Sequence, residues 1–369
     1  MNKIIVDRKM LIEALQKIIG PTTGKISFPV FSSVLIEQTN KGLKFITTDL
    51  ELTMTAQIDV DAPLEKRESF CVSLPKLLSI LKEFSEEKIE MKPQKNFLWI
   101  NCGKCELKLH VMESKEFPKI PTLKNREAIR LSAADLKEMI RLSSFAVFVG
   151  EGNYVLNGIL CSVEKNKIKF AATDGKRLAV IEKRLPADQP EINTKRIVII
   201  PQKSIIELNK LLPETDEDIF FIIGKNKVSL EFGKTQMITQ LIEGEFPEYE
   251  KYIPAKAENR LKIDRQKFLA ALRRANILSA PEYQGVKIDL SANKAGISKS
   301  TPQLGEYREE IGAEYKGKNV SFGFNPAYLI DVLKVTEADE VCFDIYDSEK
   351  PVVLRNNGYT YLALPMRLN

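Results

Sequence analysis

The sequence predicts an α+β protein built as three similar domains, each with two helices packed on antiparallel sheets. Three recurring markers carry this reading. The first is a strand end followed by a capping residue and an amphipathic helix. It occurs at Asp7-Arg8-Lys9-Met10-Leu11, at Ser132-Ala133-Ala134-Asp135-Leu136 and at Asp264-Arg265-Gln266-Lys267-Phe268, with nearly equal spacing between successive copies. The second is a short apolar strand followed by a second helix. Phe70–Leu74 leads into Leu77, Leu78, Ile80 and Leu81; Ile197–Ile200 into Ile205, Ile206 and Leu208; Val320–Phe324 into Leu329, Ile330, Val332 and Leu333, again at nearly equal spacing. The third is Glu116-Phe117-Pro118, which returns one such interval later as Glu245-Phe246-Pro247. A repeat of this length is one folded unit used several times.

In chain order, Asp7 opens the first helix because its carboxylate can accept an amide of the first turn that has no intrahelical partner. Leu11, Leu15 and Ile18 then recur at helical spacing and mark the buried face. Ser132 and Asp264 take the same capping position in the later repeats. Alternating strands fill the intervals, punctuated by Gly42, the Asn101–Lys104 turn, Asn166, Gly224–Asn226 and Asn357-Gly358. Boundaries near Arg126 and Ala257 give domains at 1–126, 127–257 and 258–369.

The length suits two or three domains, and 44% hydrophobic with 28% charged residues is ordinary for a folded protein with a sizeable core. MNKIIVDRKM lacks the apolar run of a signal peptide, and no segment approaches the roughly 18 apolar residues of a membrane span. A soluble, cytoplasmic protein without membrane contact is expected. The five cysteines are an odd number scattered through predicted strands, which fits reduced thiols.

Catalytic groups are scarce. The single histidine, His110, sits in the alternating strand Leu107–Val111 and leaves no material for a histidine triad or a multi-histidine metal site. Cys102-Gly103-Lys104-Cys105 brackets a turn between two strands, without the second pair of a structural zinc site or the strand-to-helix setting of a redox motif. Gly20-Pro21-Thr22-Thr23-Gly24-Lys25 is one residue short of a phosphate loop, and Ile26 stands where a magnesium-binding hydroxyl belongs. No cofactor, metal or catalytic residue is expected.

Net charge is only +5, from 55 basic and 50 acidic residues, yet the basic residues concentrate on the helices. Segment 8–19 carries +2, 74–83 and 202–212 carry +1 each, and 265–276 carries +4, while 133–143 and 326–336 are neutral. The helices therefore hold +8 and the remainder −3. Lys9 and Lys17 lie opposite the Leu11/Leu15/Ile18 stripe, and Lys267, Arg273 and Arg274 lie away from Phe268 and Leu272. One such face is simply a solvated surface. A bias across related helices points to a polyanion gripped without reading its bases.

Along nearly the whole chain the sequence resembles the bacterial β sliding clamps, the processivity subunits of DNA polymerase III. The resemblance rests on Thr48-Asp49-Leu50-Glu51, Leu156-Asn157-Gly158, Ala172–Ala179 (ATDGKRLA), Gly244–Tyr249 (GEFPEY), Phe324-Asn325-Pro326 and Leu364–Leu368 (LPMRL) in order. It implies three clamp domains per chain, a head-to-tail homodimer closed around double-stranded DNA, helices lining the hole and sheets outside. Topology would then supply the residence that a mild charge does not.

The same resemblance implies site residues. For DNA it adds Lys25 and Tyr154 to the contacts that the basic helix faces already suggest, Lys9, Lys17, Lys203, Arg273 and Arg274. The dimer interface falls on Ile277 and Leu278 of one chain against Leu107 and Leu109 of the other, the two latter reading equally well as core. A cleft for short linear motifs falls on Leu156, Thr173, Gly175, Lys176, Arg177, Leu178, Pro247, Tyr252, Asn325, Tyr328, Leu364, Pro365, Met366 and Arg367. Its implied partners are the DNA polymerase III catalytic subunit, the clamp loader and other clamp-binding-motif proteins. Arg177 reads alternatively as a structural salt-bridge residue. The chain departs from the family at Lys176, usually histidine, at Tyr252, usually a smaller aliphatic, and at the additional Asn369. Two other classes compete: an enzyme such as a nuclease or transferase, whose carboxylate–metal cluster is missing, and a non-ring DNA-binding scaffold module.

Overall fold

The computed structural model describes residues 3–24, 28–60, 68–123 and 128–368. The expected boundary at Arg126, the expected DNA contact Lys25 and the terminal Asn369 lie outside them. Six helices occur among the described residues: α1 Arg8–Lys17, α2 Leu74–Glu83, α3 Ala133–Ser143, α4 Gln202–Leu211, α5 Arg265–Asn276 and α6 Pro326–Val335. These are the six expected from the repeat, each with its apolar stripe inward. Leu11, Leu15 and Ile18 of the first stripe are fully buried, as are Leu77 and Leu81 in α2, Leu136 and Met139 in α3, and Ile205 and Leu208 in α4. Ile206 departs from the expected stripe and is 47% exposed. It follows Ile205 by one position, about 100° further round the helix, and so turns outward.

Asp7 accepts the Met10 amide at 2.9 Å and Asp264 the Lys267 amide at 2.8 Å, so both act as the expected caps. Asn325 caps α6 through the Ala327 amide at 3.0 Å, with Pro326 preset at the first helical position. Ser73 makes no capping bond to α2. The repeat also appears in the backbone. The first helical amide of α1, α3 and α5 donates to a carbonyl in the loop that closes the second helix of its repeat: Arg8 to Glu87 at 2.8 Å, Ala133 to Glu217 at 2.8 Å, and Arg265 to Asp339 at 2.9 Å.

The chain forms two compact units, Met1–Ala134 with Lys203–Leu241, and Asp135–Gln202 with Ile242–Asn369. The three repeats become two units because strands of neighbouring repeats pair edge to edge. In the first unit, Thr235–Gln240 of the second repeat pairs with Leu52–Asp59 of the first, Met237 opposite Met54. This joins Ile129–Ser132, Asp218–Ile223, Lys227–Phe232 and Thr235–Gln240 to Leu52–Asp59, Gly42–Thr48, Ser33–Thr39, Ser69–Ser73 and Met112–Glu113 in one nine-stranded sheet. A separate sheet orders Ile4–Asp7, Lys88–Gln94, Phe97–Cys102 and Cys105–His110, and α1 packs on α2.

The second unit joins its repeats in the same way. Arg177–Arg184 pairs with Tyr359–Ala363, Ala179 opposite Tyr361, inside a twelve-stranded sheet. Gly305–Tyr315 turns a corner there: residues 305–312 pair with Lys294–Thr301, and 313–315 with Leu261–Ile263. Helix α5 lays Phe268 against Phe343, ring centroids 6.3 Å apart, and packs on α6. At the Asn357-Gly358 hairpin both residues have positive φ, +33° and +82°. The primed turn that this sequence pair favours requires that sign at both positions. The five cysteines are free. Burial pushes the Cys71 thiol up to about 12, with Glu116 adding to the effect, and raises Cys161 further.

Candidate functional site

The residues of the expected cleft gather around the turn at 173–177. The Thr173 hydroxyl donates to the Arg177 carbonyl at 2.6 Å and accepts the Gly175 amide at 3.1 Å. Asp174 accepts the amides of Lys176 and Arg177 at 2.9 Å each. Gly175 sits at φ +84°, a conformation that favours glycine. The turn has a counterpart one repeat earlier, where Thr48 accepts the Leu50 amide at 3.1 Å and Asp49 accepts those of Glu51 and Leu52 at 3.1 and 2.7 Å. Leu50 takes the glycine position at φ +79° and is 55% exposed. Two of the matched sequence stretches are therefore one structural device used twice.

Arg177 ties the residues of the expected cleft together. Its Nε donates to Asp174 at 3.0 Å, one terminal nitrogen to Asp331 of α6 at 2.7 Å, and the other to the Phe145 carbonyl at 2.7 Å. The guanidinium also lies 4.9 Å from the Tyr328 ring centroid. Burial pulls its pKa down, but the Asp331 hydrogen bond and the nearby Asp174 outweigh that and hold it above the ordinary value. With its three donor groups bound inside the chain, Arg177 fits the structural reading: it fixes the turn, α6 and the Phe145 segment to one another.

The C-terminal segment runs alongside. The Leu364 amide donates to Lys176 and the Met366 amide to Gly323, at 2.9 and 2.8 Å. Leu156 and Leu178 are buried, whereas Leu364 and Met366 remain 39% and 38% exposed. Leu178 belongs to an apolar cluster with Leu362 and Tyr249, against which Val155, Phe246 and Ile253 pack. Pro247 joins through its carbonyl, which accepts the Tyr249 amide at 2.7 Å. Tyr252 is left 71% exposed, outside that cluster. Asn325 caps α6 and its amide reaches Gln284 at 3.3 Å. The sequence reading missed Asp174, Asp331, Phe145, Phe246 and Leu362. Asp174 alone carried a local signal, as the side chain that nucleates a turn before glycine.

The expected DNA contacts separate into two groups. Lys9, Lys17 and Arg273 are exposed on α1 and α5, and Tyr154 is 63% exposed. Lys203 is instead paired with Asp49. Arg274 sits bidentate on Glu309, at 2.7 and 2.6 Å, so its charge is largely spent within the chain. Part of the helical basic excess is also structural. Arg8 donates to the carbonyls of Leu81 and Glu86, Arg265 to those of Leu333 and Ala338, and Arg141 to Val335. These cations satisfy carbonyls at or just beyond the ends of α2 and α6, where the helix dipole favours positive charge.

The expected interface residues are not closed core. Leu107 and Leu109 are half-buried on Cys105–His110, which among the described residues is an edge strand with unpaired backbone groups along one side. Ile277, just past α5, is 78% exposed, and the Leu278 carbonyl accepts the Thr301 hydroxyl at 2.6 Å. Among the described residues, no group of three or more His, Cys, Asp or Glu side chains is arranged to hold a metal, and no helix is long and apolar enough to cross a membrane.

Three family models match in succession: the DNA polymerase III beta subunit N-terminal domain over residues 2–121, its central domain over 130–248 and its C-terminal domain over 250–367. The beta sliding clamp of Pseudomonas putida is 29% identical over 367 residues, covering 98% of this chain and 99% of the relative. The crystal structure of the DNA polymerase III subunit beta from Pseudomonas aeruginosa superposes with a TM-score of 0.94 at 28% identity, covering all of both chains. A Pseudomonas aeruginosa sliding clamp bound to griselimycin is similar at a TM-score of 0.93 and 28% identity, over 99% of each chain.

Proposed function

The chain belongs to the DNA polymerase III beta subunit family, and from that membership we propose that two copies close head to tail into a ring around duplex DNA. The protein is a DNA sliding clamp, a non-catalytic processivity factor with DNA and a polymerase as partners. The observation that carries the reading is the succession of three family domains through all three sequence repeats, in order and nearly without a gap.

The ring form explains how a chain of net charge +5 stays on DNA. Encirclement makes departure a matter of ring opening, so each phosphate contact stays weak and the protein slides. Lys9, Lys17 and Arg273 supply such contacts in this account, joined by Lys25 and Tyr154, while Lys203 and Arg274 contribute less because carboxylates already hold them. Domains of 1–126, 127–257 and 258–369 place two helices in each third. The edge strand bearing Leu107 and Leu109 accepts Ile277 and Leu278 of the second copy, which covers an unpaired strand edge and an exposed isoleucine together.

The surface from Leu156 and Leu178 to Leu364 and Met366 takes an extended peptide, its apolar side chains against the leucines and its register set by polar rim groups. Such peptides come from the polymerase III catalytic subunit, the clamp loader and other proteins bearing the motif, all in the cytoplasm. A griselimycin-bound relative supports a ligand-binding clamp surface of this kind. Lys176 brings a fixed charge to the rim and Tyr252 an exposed ring, so the preferred motif differs from that of relatives with histidine and a small aliphatic.

Sedimentation equilibrium at micromolar concentration tests the ring. The unaltered chain is expected at twice 41.8 kDa. Ile277→Asp, which buries a charge in the interface and leaves each unit intact, is expected to give a folded monomer. A monomeric unaltered chain, or a dimer indifferent to Ile277→Asp, contradicts the proposed closure.

A further inference from the structure

A cavity of about 600 Å³ lies against the strands Val286–Ser291, Lys294–Thr301 and Gly305–Tyr315, with the C-terminal residues Met366, Arg367 and Leu368 as one wall. Its volume falls within the range of ligand pockets. Lys287, Ser298 and Arg308 stand opposite one another in a single cross-strand row. Their neighbours Ile288 and Ile297 point to the other face and are buried, so the row looks away from the core.

The C-terminal wall is built to lie close on the sheet. A Cβ at Gly285 would come within 2.5 Å of a Leu368 methyl, and one at Gly323 within 2.3 Å of the Met366 carbonyl oxygen. Glycine at both positions lets Met366–Leu368 rest on the strands, and the Met366 amide fixes the segment to Gly323 at 2.8 Å. Met366 thus borders the peptide cleft on one side and this trough on the other.

The trough is cationic. Arg308 and Arg367 form no ion pair among the described residues. Lys299, only 5% exposed, donates its ammonium to the carbonyls of Tyr283 and Gly285, the latter at 2.6 Å, with no carboxylate partner. Lys287 is shared with Asp289 at 3.0 Å. Besides Asp289, two carboxylates lie among these four cations: Glu282, and Glu306, which accepts the Ser300 hydroxyl at 3.3 Å. A buried ammonium without a counter-ion and two unpaired arginines along one depression favour an anionic occupant.

We propose that the trough receives acidic residues flanking the apolar motif of the peptide bound in the cleft, so that one ligand spans both sides of Met366. The inference rests on the cleft reading above and adds a charge preference to it. Arg308 and Arg367 grip the carboxylates, and the Lys299 ammonium beneath the sheet adds a fixed positive potential.

Fluorescence anisotropy with a labelled motif peptide from the polymerase III catalytic subunit tests this. Versions carrying two added aspartates, or two added lysines, at either end are compared with the parent. One aspartate-extended version is expected to bind five- to tenfold more tightly at about 50 mM salt, with the gain shrinking at about 0.5 M as screening lengths shorten. Arg308→Glu, an exposed position, is expected to abolish that gain while the parent peptide binds as before. Equal affinity of all versions, or a gain that survives Arg308→Glu, overturns the trough proposal alone. Failure of the parent peptide to bind overturns the cleft reading and the trough with it.

Discussion

Arg177 shows how one side chain carries several parts of the site at once. Asp174, Asp331 and the Phe145 carbonyl use its three donor groups, and Tyr328 covers the plane between them. Removing it leaves the carboxylate of Asp331 and the Phe145 carbonyl without these bonds. Arg177→Ala is therefore expected to lower unfolding free energy by about 2 kcal/mol, the usual scale for a charged hydrogen-bond network left open. Arg177→Lys should recover little, because an ammonium cannot present a planar fork in three directions. Urea titration measures both. A loss of peptide binding without any loss of stability would instead make Arg177 a direct peptide contact. The sequence placed Arg177 in the cleft and left both roles open, since nothing local says that Asp331, a whole repeat further along the chain, will meet it.

Among the elements, the helices were the most legible. Their stripes follow the helical period, and the caps at Asp7 and Asp264 sit where the strand alternation stops. Asp264→Ala is expected to destabilise the second unit by ~1 kcal/mol, the typical loss for a helix cap, whereas Asp264→Asn should be nearly neutral. Ser73→Ala, where the hydroxyl makes no capping bond, should change stability by much less. Thermal melting of the three variants orders these effects, and an equal loss from Ser73→Ala would contradict the assignment of caps. The sheet seams were not legible. Met237 against Met54 and Ala179 against Tyr361 join strands that belong to different repeats and lie far apart in the chain. Strand register across such a span is set by tertiary fit, not by local alternation. The repeats announced three domains, and the seams at their borders redistribute them into two compact units.

At the scale of the whole molecule, the distribution of charge says more than its total, but the structure narrows what the helices offer to DNA. Arg8, Arg141 and Arg265 bind helix-end carbonyls, Lys203 and Arg274 hold carboxylates, and Lys9, Lys17 and Arg273 remain exposed. A net charge of only +5, with part of the helical basic excess bound inside the chain, suits a tether that slides and suits a protein held by electrostatics alone poorly. We attribute residence to the proposed closure of the ring, which was legible only through family resemblance, because one chain carries no local pattern for the symmetry that joins it to a second. Retention on DNA of two topologies tests that claim most directly. Loaded by an ATP-driven clamp loader onto nicked circular DNA, the protein is expected to co-elute with the circle through gel filtration and to be lost once a single cut makes the DNA linear. Equal retention on the circular and the linear form would contradict encirclement.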